Sequence, residues 1–209
     1  MKGRTIIGKG AEAIIYQEKN KVLKKRISKS YRHPEIDKKL TKRRTKAETK
    51  IMIKASKIIP VPKPEEQKEN KNKNEITMPL IDGEKLSDYL DSYNKKKQEK
   101  IMHQLGKSIA KLHKEGIIHG DLTTSNMIYN PSEEKVFLID FGLAFQNGKY
   151  ENKGVDIHLL KQALEAKHFM SWETLFKHFR EGYQSINLKE SEKVFERMKA
   201  IEKRGRYRH

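Results

Sequence analysis

Two short strings in the middle of the chain carry the residue types that metal-assisted phosphoryl transfer requires. Residues 119–126 read HGDLTTSN, and residues 139–142 read IDFG. A carboxylate such as Asp121 can position or deprotonate an attacking hydroxyl, while Asn126 and Asp140 can hold Mg²⁺ on the phosphates of a nucleotide. The order and spacing of the two strings, beside apolar runs, predict a catalytic site that uses ATP and Mg²⁺.

Composition restricts the surroundings of such a site. Forty-six Lys and Arg residues against 28 Asp and Glu give a net charge of +18, which favours nucleic acid as a partner, although a solvated lysine-rich surface explains the charge equally well. The absence of cysteine excludes disulfides and thiolate catalysis. No window approaches the roughly 20 apolar residues of a membrane span, and the first residues lack the apolar core of a signal peptide. We therefore expect a cytoplasmic protein that does not enter a membrane.

The first half of the chain predicts a small sheet and one helix. Apolar and β-branched runs separated by turn residues indicate an antiparallel meander, with TIIG at 5–8, AIIYQ at 13–17 and KVLKKR at 21–26. Residues 34–57 have helical spacing, with Leu40, Ala47, Ile51 and Ala55 along one face and mostly Lys and Arg opposite. A polar, low-complexity loop at 63–75 leads into a strand, EITMPLI, at 75–81.

The second half predicts mostly helices. Residues 95–115 are a helix with Gly116 at its stop position, and MIYN and VFLID are strands that bracket a turn at 131–134. Helical patterns then fill most of residues 155–204. The order predicts an α+β, bilobal fold with an N-lobe at 1–80 and a C-lobe at 81–209.

The N-lobe must supply a grip on the nucleotide. Gly8, Lys9 and Gly10 lie between two predicted strands, where backbone amides could approach phosphates, although a plain hairpin turn also explains them. Lys24 lies where a strand lysine can reach the α and β phosphates. Lys25 is the rival, and since strand neighbours face opposite sides, Lys24 points into the cleft if Leu23 packs away from it.

Two further predictions complete the nucleotide site. Glu48, on the basic helix, can orient Lys24, with a surface pair to Arg44 as the alternative. Met78 can line the cleft before the connection between the lobes, so that the Pro79 carbonyl accepts from the adenine amine and the Ile81 amide donates to the ring. An ordinary edge strand is the alternative for this segment.

These motifs together resemble a known family. GKGAEA, VLK, YRHPEIDKKL at 31–40, HGDLTTSN and IDFG are similar to the small atypical kinase/ATPase subunit of the KEOPS complex, a relative of the RIO kinases. The resemblance covers nearly the whole chain. It implies a protein-kinase-like fold, ATP and Mg²⁺ binding, serine/threonine autophosphorylation or ATP hydrolysis, and service to a complex that makes threonylcarbamoyladenosine in tRNA. Its partners would be the threonylcarbamoyltransferase and the other KEOPS subunits.

By motif, the resemblance also assigns roles to individual residues. Lys24 anchors phosphates, Glu48 orients Lys24, Asp121 is the catalytic aspartate, and Asn126 and Asp140 bind the metal. His119 is a structural member of the catalytic loop, and Asp156 fixes that loop from the following helix.

Two departures from ordinary protein kinases bear on mechanism. Gly120 replaces the arginine that would pair with a phosphorylated activation loop, and only LAFQNGKYENKG separates IDFG from Val155, without an A-P-E sequence. We therefore expect a reduced C-lobe without a full activation segment, which cleaves ATP but grips peptides poorly unless a partner completes the surface. A small-molecule phosphotransferase of the aminoglycoside or choline type, and a nucleotide-binding scaffold with little turnover, are the alternatives.

Cationic residues give a second functional prediction. They crowd the predicted helix and the C-terminal tail, where Tyr207 stands among arginines: Lys38, Lys39, Lys42, Arg43, Arg44, Lys46, Arg204, Arg206 and Arg208. Arginines with an interleaved aromatic can bind phosphates and stack on an unpaired base. The family resemblance favours tRNA or the partner transferase as their target, and a solvated tail is the alternative.

Overall fold

The computed structural model describes residues 3–65 and 74–206, which form seven strands and six α-helices. The strands are β1 Thr5–Lys9, β2 Ala13–Glu18, β3 Lys21–Arg26, β4 Glu75–Pro79, β5 Glu84–Lys85, β6 Met127–Asn130 and β7 Lys135–Leu138. The helices are α1 Pro34–Ala55, α2 Leu86–Tyr89, α3 Lys95–Lys114, α4 Tyr150–Lys167, α5 Trp172–Gln184 and α6 Leu188–Arg206. Thr124–Asn126 form a short 3₁₀ turn in the HGDLTTSN loop.

An antiparallel sheet in the order β1-β2-β3-β4 forms the N-lobe and confirms the predicted meander. Strand β3 is central, so its residues are paired on both sides, with Lys24 opposite Ile15 on β2 and Ile76 on β4. Leu23 and Lys24 are buried whereas Lys25 is exposed. This placement fixes the inward direction of Lys24.

The predicted inward face of α1 is only partly correct. Ile51 and Ala55 are buried, but Ala47 is exposed and Leu40 is only partly covered. The first half of the helix instead buries short polar side chains: Thr41 and Thr45 are both buried, and Thr45 Oγ1 donates back to the Thr41 carbonyl at 2.8 Å. Buried polar side chains give no apolar periodicity, and hydrophobic burial contributes little to the packing of this half of the helix.

Packing of α3 against α5 forms much of the C-lobe core. Each helix places a glycine at the crossing: a Cβ on Gly106 would lie 2.1 Å from the Phe179 carbonyl oxygen, and one on Gly182 would lie 2.0 Å from that of His103. Both positions therefore require glycine for this close approach. The crossing brings Tyr183 of α5 against His113 of α3.

A second, three-stranded sheet in the order β5-β6-β7 lies beside the helices, and it carries the two catalytic strings at its ends. The Pro60 carbonyl accepts from the Leu138 amide at 3.1 Å, so the segment after α1 joins the N-lobe to β7. Most of the buried apolar side chains form one core that runs from Met52 and Ile76 in the N-lobe through Leu105 to Phe179 in the C-lobe.

Several predicted boundaries were wrong by a few residues. The strand predicted at 75–81 ends at Pro79, and the strand VFLID ends at Leu138. The helix predicted at 34–57 ends at Ala55, and that predicted from 155 begins at Tyr150. Most of the predicted polar loop at 63–75, and tail residues 207–209, lie outside the described residues. Within the described ranges, no helix is long and apolar enough to cross a membrane.

Candidate active site

A cavity of about 250 Å³ lies between the two sheets and collects most of the predicted site residues. Its walls are largely apolar, with Ile7, Ile15, Val22, Met52, Met78, Ile128 and Ile139 among the lining residues. Its polar lining includes Lys24, Glu48, Asn126 and Asp140. An apolar slot with charged groups convergent in it suits a ligand with a flat ring and an anionic tail.

Lys24 links the two halves of the chain through a pair of short ionic contacts. Its Nζ donates to Glu48 Oε1 of α1 at 2.7 Å and to Asp140 Oδ1 at 2.7 Å. The predicted pairing of Lys24 with Glu48 is thus confirmed. The alternative partner of Glu48 was Arg44, but Arg44 pairs with Glu12 at 2.8 Å.

Sequence reasoning missed Arg26, which also reaches Glu48. Arg26 Nη2 lies 2.5 Å from Glu48 Oε2, and the residue is buried at 7% exposure. Period-two alternation on β3 places Arg26 on the same face as Lys24, so the signal was available in the sequence.

Asp140 is held in its ionised form. Partial burial would raise its pKa, but the charge and hydrogen bond of Lys24, with the Gly142 amide donating at 3.1 Å, outweigh this and lower the pKa below 3.8. The residue has a positive φ of 61°, and its side chain is 47% exposed. Asp140 therefore presents a charged carboxylate at the cavity.

Asp121 and Asn126 hold each other within the catalytic loop. Asn126 Nδ2 donates to the Asp121 carbonyl at 3.0 Å and to Asp121 Oδ2 at 2.9 Å. Because the amide nitrogen faces Asp121, the amide oxygen of Asn126 is free to be a ligand. With Asp140, this gives the oxygen donors that Mg²⁺ prefers when substrate phosphates complete its coordination.

Asp156 fixes the catalytic loop from α4, as predicted. Its Oδ2 accepts from the His119 amide and its Oδ1 from the Gly120 amide, both at 2.8 Å. The His119 side chain is structural, since its Nε2 bonds to the Ile139 carbonyl at 3.1 Å and its ring lies 4.8 Å from that of Phe141. The loop therefore has little freedom to move Asp121.

The Asp156 carboxylate is itself part of a buried network that sequence reasoning did not find. His113 Nε2 lies 3.2 Å from Asp156 Oδ2, and His113 Nδ1 lies 2.8 Å from the Tyr183 hydroxyl. Burial lowers the pKa of His113 more than Asp156 raises it, so the imidazole is neutral, donates through Nε2 and accepts from Tyr183. Burial opposes ionisation of Asp156, but His113, His119 and the loop amides lower its pKa nonetheless.

A second anchor holds the same loop near the 3₁₀ turn. His168 Nδ1 bonds to Asp91 Oδ2 at 2.7 Å, and its Nε2 lies 3.3 Å from Thr124 Oγ1. Both His168 and Thr124 are buried at 2% exposure. The loop is thus fixed on one side by Asp156 of α4 and on the other by His168, which directly follows α4.

Gly120 occupies a position that other residues cannot take without strain. Its φ is +81°, and a Cβ there would lie 2.5 Å from the Leu143 carbonyl oxygen. The glycine that replaces the arginine of ordinary kinases thus allows close contact between the catalytic loop and the segment after Asp140.

That segment is short and tied to its surroundings. Ile118 and Phe145 exchange two backbone hydrogen bonds, at 2.9 and 3.1 Å, and the Gly148 amide donates to the Gly116 carbonyl at 3.0 Å. Helix α4 then begins at Tyr150. Residues 143–149 therefore form the whole connection between IDFG and α4, and the expected weakness of peptide binding stays a prediction.

The residues predicted to contact adenine lie at the end of β4 and just after it. Register pairs Lys21 with Pro79, and the Leu80 amide donates to the Asn20 carbonyl at 2.9 Å. Because hydrogen-bonded and non-bonded pairs alternate, the Pro79 carbonyl points away from β3. Met78 is buried and lines the cavity together with Pro79 and Ile81, whose roles stay predictions.

The structure separates the three residues predicted to cradle phosphates. Gly8 lines the cavity, whereas Lys9 and Gly10 are exposed and lie outside its lining. The Gly10 amide donates to the Ala13 carbonyl at 2.9 Å within the hairpin turn. That amide is committed to the turn, which was the alternative interpretation of this segment.

The predicted basic surfaces are only partly free. On α1, Arg44 pairs with Glu12, whereas the other five predicted cations are exposed and have no ion pair within the described residues: Lys38, Lys39, Lys42, Arg43 and Lys46. Arg204 belongs to α6 rather than to a tail, and its Nη2 pairs with Glu151 at 2.6 Å. The Arg206 side chain and Arg208 lie outside the description.

Comparison with known proteins agrees with this geometry. Residues 2–186 match the protein kinase domain family. The chain is 41% identical to the KEOPS complex subunit Bud32 of Pyrococcus abyssi over 214 residues, which cover 97% of this chain and 96% of that protein. It is 40% identical over 199 residues to a probable serine/threonine-protein kinase BUD32 homolog of Archaeoglobus fulgidus, covering 95% and 94% of the two chains.

A longer relative matches over part of its length. A probable bifunctional tRNA threonylcarbamoyladenosine biosynthesis protein of Methanobrevibacter smithii is 39% identical over 211 residues, which are 98% of this chain but 37% of that protein. The chain therefore corresponds to nearly the whole of the first two relatives and to about a third of this one.

Proposed function

We propose that this chain, which belongs to the protein kinase family and to its KEOPS subunit Bud32 group, binds ATP with Mg²⁺ and transfers or releases the γ-phosphate. Lys24 carries the proposal, because its Nζ lies 2.7 Å from both Glu48 and Asp140. A lysine that contacts both a helix glutamate and a second carboxylate is the grouping that a kinase uses to hold ATP phosphates beside a metal ion, which supports the proposal.

The residues of the cavity have separate tasks in this proposal. The apolar walls bind the adenine ring, and the Pro79 carbonyl and Ile81 amide fix its orientation. Lys24 binds the α and β phosphates. Asn126 and Asp140 would hold Mg²⁺, which supplies charge neutralisation at the transferred phosphoryl group.

Asp121 acts on the group that attacks the γ-phosphate. Asn126 and the Asp156 anchor of the loop fix the position of its carboxylate, so Asp121 can align a substrate hydroxyl or a water and accept its proton. Since the segment before α4 offers no peptide platform, water or a hydroxyl presented by a partner protein reaches this carboxylate more readily than a free peptide does. We therefore infer slow ATP hydrolysis by the isolated chain, raised when a partner completes the site.

A phosphate-release assay on the purified chain tests the catalytic assignment. Asp121→Ala and Asp140→Ala should each remove turnover while the melting temperature stays near that of the wild type, because neither side chain belongs to the buried core. Glu133→Ala, at an exposed turn, is the matched control and should leave turnover unchanged. Wild-type hydrolysis in both active-site variants would refute the assignment.

We further propose that the chain serves a KEOPS complex that forms threonylcarbamoyladenosine in tRNA, as a cytoplasmic partner of its transferase. Relatives that carry these names and align over almost the entire chain support this. Adding the transferase subunit and tRNA to the phosphate-release assay should raise turnover. An acceptor screen with aminoglycosides and choline distinguishes the proposal from a small-molecule phosphotransferase, and no turnover under any condition would leave a nucleotide-binding scaffold.

For tRNA contact we propose the exposed cations of α1. Binding should weaken steeply with salt, and the double variant Lys39→Gln/Lys42→Gln should reduce the slope of log K against log salt by roughly 1 to 2, since each phosphate contact contributes about 0.7 to 0.9. Lys95→Gln/Lys96→Gln, an equal charge change at the exposed start of α3, is the control. Equal slopes in the two double variants would exclude α1 as the tRNA surface.

A further inference from the structure

We propose that Arg26 is a positioning residue, whose guanidinium holds the Glu48 carboxylate, and through it Lys24, in the geometry that grips ATP phosphates. The inference rests on the proposed function, since it concerns the same site. Arg26 would then explain how Lys24 and Glu48 keep their positions without a phosphorylated activation loop.

The contacts divide the Glu48 carboxylate between two cations. Lys24 Nζ lies 2.7 Å from Oε1, and Arg26 Nη2 lies 2.5 Å from Oε2. Glu48 is buried at 2% exposure, and both cations at 7%. Because alternate strand residues share a face, Lys24 and Arg26 project together toward α1.

The charges explain why one cation is insufficient. Lys24 also contacts Asp140, so the cluster is a chain of Arg26, Glu48, Lys24 and Asp140 with no net charge. Without Arg26, a single ammonium would face two carboxylates, and each of them would compete for its position. Glu12, at 4.0 Å from Arg26 Nη1, pairs more closely with Arg44 and does not replace this contact.

Packing of α1 makes the ionic contact more important for position. The first half of the helix buries Thr41 and Thr45 rather than apolar side chains, so hydrophobic burial contributes little to fixing the position of this half. Gly120 and the short segment after Asp140 also deprive the chain of the arginine and loop by which ordinary kinases hold this helix. Arg26 supplies a local substitute.

A purely stabilising role fits Arg26 poorly. Its Nε is buried with no hydrogen-bond partner among the described residues, and a buried ion pair is often no more stabilising than apolar side chains of similar volume. Net stabilisation therefore does not account for an arginine at this position, and its contact with Glu48 indicates a role in geometry.

The experiment measures kcat and KM for ATP in the full chain carrying Arg26→Ala. We expect kcat to fall about 10²-fold, the usual result of misplacing a reacting group by about 1 Å, while KM changes less. Lys25→Ala removes the same charge from the exposed face of β3 and should leave kcat unchanged. Guanidinium ions at non-denaturing concentration should restore part of the lost rate, and urea, their neutral counterpart of similar shape, should not.

The outcomes separate this inference from the proposed function. If the wild type hydrolyses ATP and Asp140→Ala does not, but Arg26→Ala keeps the wild-type kcat, the role of Arg26 is refuted and the function stands. Loss restored by both additives or by neither also refutes it. If Arg26→Ala does not fold, Arg26→Lys replaces it: reduced kcat at an unchanged melting temperature supports positioning by the two-pronged guanidinium, and wild-type kcat refutes it.

Discussion

Asp156→Asn removes one charge from the molecule and should detach the catalytic loop from α4. The carboxylate accepts three hydrogen bonds, from the His119 and Gly120 amides at 2.8 Å and from His113 Nε2 at 3.2 Å. An asparagine has one acceptor oxygen, which can serve the two donors at the Oδ2 position. Its amide group must then face the Gly120 amide, so that two donors meet.

The expected cost follows from these contacts. A hydrogen bond to a charged group contributes about 1.5 to 3 kcal/mol, and leaving the Gly120 N–H unsatisfied incurs most of that amount. Loss of charge also weakens the two remaining bonds, so we expect a decrease of about 3 kcal/mol in the free energy of unfolding. For a chain of this size, that lowers the melting temperature by roughly 6 to 12 °C.

The assay has two parts, and a control on the same helix. Thermal unfolding gives the stability change, and phosphate release below the lower melting temperature gives the effect on turnover. We expect kcat to fall about 10²-fold, since His119 and Gly120 directly precede Asp121. Glu151→Gln also removes a carboxylate from α4, but its pair with Arg204 is exposed and should change stability by less than about 1 kcal/mol.

A wild-type melting temperature and kcat in Asp156→Asn would refute the reasoning, because the loop would then hold its position without the carboxylate. A loss of stability as large in Glu151→Gln would do so as well, since it would show a general effect of charge on α4.

Three further predictions concern the same loop. Gly120→Ala should lower the free energy of unfolding by more than the roughly 1 to 2 kcal/mol that an alanine loses in the left-handed conformation, because its Cβ would also lie 2.5 Å from the Leu143 carbonyl oxygen. Denaturant titration measures this change, and an unchanged free energy of unfolding would contradict the described contact. Burial lowers the pKa of His113 below 6.5, so the unfolded chain binds more protons and stability should fall as pH decreases below about 6.5. His113→Gln should reduce the change in urea midpoint between about pH 7.5 and 5.5, and an unchanged dependence of the midpoint on pH would exclude His113 as the cause. His168→Ala should lower kcat and cost about 2 kcal/mol or more, because Thr124 and Asp91 lose a shared buried partner; full activity at wild-type stability would show that this anchor is dispensable.

Sequence patterns were sufficient where chemistry and periodicity coincide. HGDLTTSN and IDFG pointed to Asn126 and Asp140, which line the cavity, and to Asp121, which Asn126 contacts; strand alternation pointed to Lys24 as the inward-facing lysine. The meander and the fold class followed from β-branched runs and turn residues. In each case a local rule of residue type or spacing matches what the tertiary structure requires.

Other residues could not be predicted from the sequence, because their roles depend on partners that are distant along the chain. Nothing local distinguishes His113 from other helical histidines, and only the α3–α5 crossing at Gly106 and Gly182 brings Tyr183 to it. Thr41 and Thr45 are buried although their polarity predicts exposure, and for this reason the prediction of the buried face of α1 was partly wrong. Boundaries such as the end of β4 at Pro79 depend on which backbone groups find partners, and propensity does not determine this.

The packing of Phe141 has a consequence for pharmacology. Its side chain is fully buried at 0% exposure against the ring of His119, which is itself tied to Ile139 and Asp156. Inhibitors that need this phenylalanine to vacate its pocket must first expel a buried aromatic ring, which costs about 1.5 to 3 kcal/mol of their affinity. Compounds that fill only the apolar slot between Val22 and Ile128 avoid that penalty, so they should bind this chain more tightly.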